Sequence, residues 1–182
     1  MTTGAPRKKF EDRVLASFEL DTLGLPYPVV LKDAVIERRN VETDEVIGQA
    51  IPDMDSLVAA IAMVRALHPL RLNGAELRFM RKVVGMKSKD FAQTVGMDPS
   101  SYSRYENDKD QMGGYVEQLV RELVCEELKD KAPAVDYTPR DIIRLRITHE
   151  WEPIRMVFSR VLFKDGLTRE RSEAWDTLPA AA

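Results

Sequence analysis

Ser100, Ser103, Arg104 and Asn107 stand at i, i+3, i+4 and i+7, the spacing that gathers side chains on one face of a helix. Their chemistry suits a surface that reads hydrogen-bond patterns. Short hydroxyls let a backbone come close to a base edge, and an arginine offers two parallel N–H donors that match the O6 and N7 acceptors of guanine. Lys87, Ser88, Lys89, Ser101 and Lys109 flank that face with charges and donors suited to phosphate oxygens. The first set would specify a sequence and the second would position it.

Such a face needs a rigid mounting, and the surrounding residues are those of consecutive short helices. Asp98 is placed to cap a helix over 99–107, with Pro99 at its first position, where the missing N–H donor costs nothing. Tyr102 and Tyr105 fall on the opposite side of that helix and are expected in the core. Before it, Phe91 and Val95 lie one turn apart on a helix over 87–95, Ala92 allows two helices to cross closely, and Gly96 permits a tight turn. Asn73 followed by Glu76 has capping-box spacing and opens a helix whose Leu77, Met80 and Val84 form one apolar face up to Gly85. A fourth helix over 115–129 carries Val116, Leu119, Val120 and Leu123, which either complete this core or supply a dimer contact.

Elsewhere the pattern changes. Pro26 and Pro28 interrupt helical continuation, and 29–39 and 46–51 are rich in Val and Ile around the polar Glu42-Thr43-Asp44, the pattern of a small antiparallel sheet. Leu57, Val58, Ile61 and Val64 then mark a helix with one apolar face for that sheet, ending at His68-Pro69. Asp53 and Asp55 read as helix-start residues. Beyond Lys131 the pattern is mixed: 141–147 is ambiguous, and Ile154, Met156 and Phe158 alternate as in a strand. The expectation is an α+β protein: a flexible arm over 1–17, a sheet-and-helix domain over 18–70, an all-α helix-turn-helix domain of four to five helices over 71–131, and an extension over 132–182 with a strand near 153–163 and a frayed end from 169 onward.

Of 182 residues, 44% are hydrophobic and 31% charged, which predicts a packed core and excludes a disordered chain. The net charge of −3 argues against a nonspecific nucleic-acid coat, but residues 71–109 hold eight basic and five acidic groups, leaving that stretch at +3 and the rest at −6. Cys125 is the only cysteine, and His68 and His149 are the only histidines, so neither an intrachain disulfide nor a metal site is expected. His149-Glu150 lacks the second histidine of a zinc-protease helix, and no nucleophile, base and orienting group stand together, so no catalytic residue, cofactor or enzymatic activity is expected. The longest wholly apolar run, 57–64, is too short to span a bilayer, and the cytoplasm is the expected address.

Over 72–128, and most closely at Tyr102-Ser103-Arg104-Tyr105-Glu106, the chain resembles the Cro/Xre helix-turn-helix family, and within it the MqsA (YgiT)-type antitoxin repressors. The resemblance implies base reading by a polar residue at Ser100 and an arginine at Arg104, the residues that the helical face also selects. It implies an autorepressor. The order of sheet and helix over 27–66 is similar to the domain that precedes the DNA-binding domain in those antitoxins. They hold zinc there through paired Cys-x-x-Cys motifs, which this chain lacks before Cys125. Ser88 and Asp108 replace a common Gln and Gly, and aspartate enters the left-handed region more readily than most residues. Double-stranded DNA with a palindromic operator, read by a homodimer with half-sites about one helical turn apart, is the expected partner. A small toxin-like protein held by the N-terminal domain is the alternative. A non-DNA-binding interaction module is the remaining one, and for Arg104 by itself the alternative is an intrahelical or surface ion pair with Glu106 or Asp108.

Overall fold

A computed structural model describes residues 9–149, 154–164 and 171–178. It is a mixed structure of five strands in one sheet and six helices among the described residues, with three strands preceding the helices and two following them. No described helix is long and apolar enough to cross a membrane.

The sheet is organised by β2 (Val29–Asn40). β1 (Phe10–Leu20) pairs antiparallel along its whole length, from Phe10 opposite Asn40 to Leu20 opposite Val29. The other edge of β2 is shared: β3 (Val46–Ala50) pairs antiparallel with 36–39, and β4 (Met156–Lys164) runs parallel to 29–32, with Val29 opposite Met156. β5 (Arg171–Thr177) completes the sheet antiparallel to β4. A bulge at Asp33, whose φ is 49°, breaks the alternation of β2. Its first half buries Val29 and Leu31, while Phe10, Val14, Ile36 and Ile47 at the far end of the three N-terminal strands are exposed.

Three expectations change. Residues 10–17 belong to β1 rather than to a flexible arm; a charged outer edge, with Glu11, Asp12 and Arg13, masks the strand pattern there. Residues 1–8 of that arm lie outside the described residues. The sheet is larger than a small antiparallel one and includes a parallel pair, because the C-terminal strand returns to the N-terminal half. The expected frayed end contains β5, since Ala174 and Trp175 are buried and the Trp175 indole N–H donates to the carbonyls of Pro52 and Asp53 at 3.3 and 3.2 Å. Arg160 lies over that indole at 5.4 Å. Residues 179–182 lie outside the described residues.

α1 (Met54–Leu67) starts at the Asp53 cap, whose carboxylate accepts from the Ser56 N–H, and Asp55 lies in its first turn. It is buried on all sides from Ser56 onward rather than on one face. Its alanines let other elements approach, so it contacts β5, α2 (Gly74–Val84) and α5 (Gly114–Leu128) at once.

Two buried ion pairs fix the chain between α1 and α2. Arg65 meets Glu76 through two bonds of 2.6 and 2.9 Å and also donates to the carbonyls of Leu70 and Arg71. Arg121 meets Glu117 at 2.7 Å and donates to the carbonyls of Ala66, His68 and Leu70. Backbone acceptors that a connecting segment would otherwise bury unpaired are thereby satisfied. The Tyr27 hydroxyl adds a bond to Glu76 at 2.8 Å, and burial beside that carboxylate pushes its phenol well above the ordinary value. Past α5 the ambiguous stretch forms α6 (Pro139–Arg144), begun by a Thr138/Asp141 capping box.

Candidate nucleic-acid interface

α3 (Ser88–Thr94) and α4 (Pro99–Glu106) form the mounting of the candidate face. Gly96, at φ 69°, makes the left-handed step between them. The Asp98 carboxylate then accepts from the amides of Ser100 and Ser101 at 2.8 and 3.2 Å. The Ser100 hydroxyl also donates to it, and these bonds hold the Asp98 carboxyl below the usual range. On the inner side Phe91 and Tyr102 pack with ring centroids 5.3 Å apart. Ala92 and Val95 are buried beside them, and Tyr105 is half-buried.

α4 is fastened to α2 at both charged and backbone level. Arg81 on α2 pairs with Glu106 at 2.7 Å and donates to the Met86 carbonyl, while Arg78 donates to the Glu106 carbonyl at 2.9 Å. Burial, reinforced by the Glu106 carboxylate, raises the Tyr102 phenol above its ordinary value. At the start of α2, inside the expected Asn73/Glu76 capping box, the Gly74 N–H donates to the Asp108 carboxylate. A β-carbon at Gly74 would stand 2.4 Å from the Glu106 carbonyl oxygen, so only glycine lets the two helices come this close.

The outer side carries the residues selected by spacing. Ser100, Ser103, Arg104 and Asn107 are all exposed. The Ser100 hydroxyl hydrogen is engaged by the Asp98 carboxylate, which leaves the exposed oxygen as an acceptor. Asn107 turns its amide back onto the Ser103 carbonyl at 2.7 Å and accepts from Arg78 at 3.3 Å. Arg104 pairs with Asp110 at 2.6 Å, beyond the helix, and neither Glu106, which serves Arg81, nor Asp108, which caps α2, is its partner. That carboxylate raises the Arg104 guanidinium above its ordinary value and is itself lowered.

Around this face Lys87, Lys89 and Lys109 are exposed, and Ser88 and Ser101 are half-exposed. None of the three lysines has an ion-pair partner among the described residues. The local basic surplus therefore divides in a way the composition does not reveal. Arg71, Arg78 and Arg81 are spent on internal contacts, and lysines make up the free charge. α3 has no side-chain cap at its N-terminus.

Spacing did not reveal Asp108 and Asp110. Asp108 takes a left-handed φ of 52°, a tolerance readable in its residue type, whereas its bond to Gly74 spans 34 positions. Asp110 has no periodic relation to α4. Cys125 is buried, and burial pushes its thiol up to about 12, which makes it an inert apolar filler. No group of three or more His, Cys, Asp or Glu that could hold a metal ion occurs among the described residues. Comparison with protein families, with curated proteins and with solved structures finds no match for this chain.

Proposed function

We propose that the chain is a sequence-specific double-stranded DNA-binding transcription regulator of the helix-turn-helix type, with α4 entering the major groove. One observation carries the reading. α4 buries its tyrosine side and leaves Ser100, Ser103, Arg104 and Asn107 exposed between lysines that have no ion-pair partner among the described residues. In this role Ser100, Ser103, Arg104 and Asn107 read base edges, while Lys87, Ser88, Lys89, Ser101 and Lys109 hold phosphates. A homodimer on a palindromic operator is the form that gives two such helices useful affinity. The resemblance to MqsA-type repressors supports repression of the protein's own promoter.

Selection of duplexes from a random pool should return one preferred, two-fold symmetric sequence. Binding of that sequence, followed by fluorescence anisotropy, should weaken by about 1 to 3 kcal/mol in Arg104→Ala, with one position of the site losing its preference. An unenriched pool would remove the reading.

A second reading, in which the protein also neutralises a partner protein as an antitoxin does, is favoured by the exposed Phe10, Val14, Ile36 and Ile47 at the far end of the sheet. Co-expression with the neighbouring gene's product should then relieve growth inhibition in a manner lost in Val14→Glu. Relief that survives that substitution counts against this sheet surface.

A further inference from the structure

Resting on the reading of α4 as the base-reading helix, we infer that Asp110 is an intramolecular competitor for Arg104, an autoinhibitory contact that the operator must displace. The Arg104 Nε lies 2.6 Å from Asp110 Oδ2, and the two side chains are 58% and 49% exposed, so the pair sits on the open face and not in a structural core. A carboxylate is the same kind of acceptor as the guanine edge or the phosphate that the guanidinium would otherwise seek.

The loop that presents Asp110 is held in place. The Lys109 N–H donates to the Arg104 carbonyl at 2.9 Å, the Asp108 N–H donates to the Tyr105 carbonyl at 3.1 Å, and the Asp108 carboxylate is anchored on Gly74. Asp110 is thus delivered to Arg104 by the same turn that ends α4.

A displaced carboxylate needs somewhere to go, because beside DNA it would meet phosphates. Asp110 also lines a cavity of about 300 Å³ together with Tyr105, Gln111, His149 and Arg71. Arg71 on that wall is already engaged, at 3.4 Å from Gln111, 3.5 Å from the Glu117 carboxylate and 3.2 Å from the His149 ring. The carboxylate, paired with Arg104, therefore also borders a cavity whose lining includes a second guanidinium. In the free protein it rests on Arg104, and in the bound protein it retires into the cavity toward Arg71.

The test is a double-mutant cycle on the duplex selected by the wild-type chain, with a scrambled duplex alongside. Exposed ion pairs are worth up to about 1 kcal/mol, so Asp110→Asn should tighten binding to the selected duplex about two- to fivefold and to the scrambled duplex less. In an Arg104→Ala background the same substitution should change neither by more than its lost charge does. An equal gain in both backgrounds would mean that Asp110 merely repels phosphates, and no gain would mean that it does not restrain Arg104; either result overturns the inference while leaving DNA binding intact. A wild-type chain that binds no duplex fails the underlying reading instead and takes the inference with it. Independently of DNA, the Arg104 side-chain Nε–H resonance of the free protein should move on Asp110→Asn, and an unmoved resonance overturns the contact.

Discussion

The Gly74 N–H donates to the Asp108 carboxylate at 2.6 Å, so the residue that ends the turn after α4 caps the first turn of α2. The orientation of the candidate reading helix therefore depends on a position outside it that has no side chain.

Gly74→Ala is expected to destabilise the protein by about 1 to 3 kcal/mol, the range for forcing an added methyl into a closed contact. The new β-carbon would press on the Glu106 carbonyl oxygen and carbon, both backbone atoms that cannot swing aside. Urea denaturation measures the loss. An unchanged midpoint would mean that α2 and α4 are not clamped in solution.

Trp175→Ala should cost about 3 to 5 kcal/mol, as large-to-small changes at fully buried aromatic sites do. It removes a fully buried indole together with its bonds to Pro52 and Asp53 and the surface beneath Arg160. Thermal unfolding should reveal the loss, and hydrogen exchange should show β5 opening first. A cost below about 1 kcal/mol would leave β5 as a loosely attached strand.

The caps of α4 and α6 predict an acid-side dependence. Hydrogen bonds from Ser100 lower the Asp98 carboxyl, and bonds from Thr138 lower that of Asp141. A carboxyl whose folded value is depressed stabilises the fold fully above its unfolded value, about 3.9 for aspartate, and the stabilisation is lost as pH falls through the folded value. Asp98→Asn should therefore flatten the fall of Tm below about pH 4. Parallel Tm profiles for the variant and the wild type would exclude the linkage.

Lys87 and Lys89 carry charge that no described group neutralises. If each meets a phosphate, changing both to Gln should reduce the slope of log affinity against log salt by about 2 while leaving sequence preference intact. A changed preference with an unchanged slope would move them from the phosphates to the bases.

What could be read in advance was local. The Asp98-Pro99 start, the Asn73/Glu76 box and the Gly96 turn each depend on residues a few positions apart, and α2 and α4 begin, and α3 ends, where those signals lie. What was missed depends on distance. Besides its pairing with β4, β5 is anchored by a tryptophan whose acceptors lie more than 120 positions away, and β1 hides its strand character because its outer edge is charged. The partners of Glu76 include the half-buried Tyr27, 49 positions earlier, although the capping role of Glu76 was plain. At the candidate site the exposed face was legible from helical spacing, but the bonds of Arg104 to Asp110 and of Asn107 to Arg78 were not, since Asp110 and Arg78 lie outside that spacing.

The two buried guanidinium groups of Arg65 and Arg121 grip the backbone between α1 and α2 at Ala66, His68, Leu70 and Arg71. A segment that ordinarily would serve as a hinge is here a weld. A movement of α1 and the sheet against α2 would have to break these bonds, so the segment resists bending where a bare connection would yield.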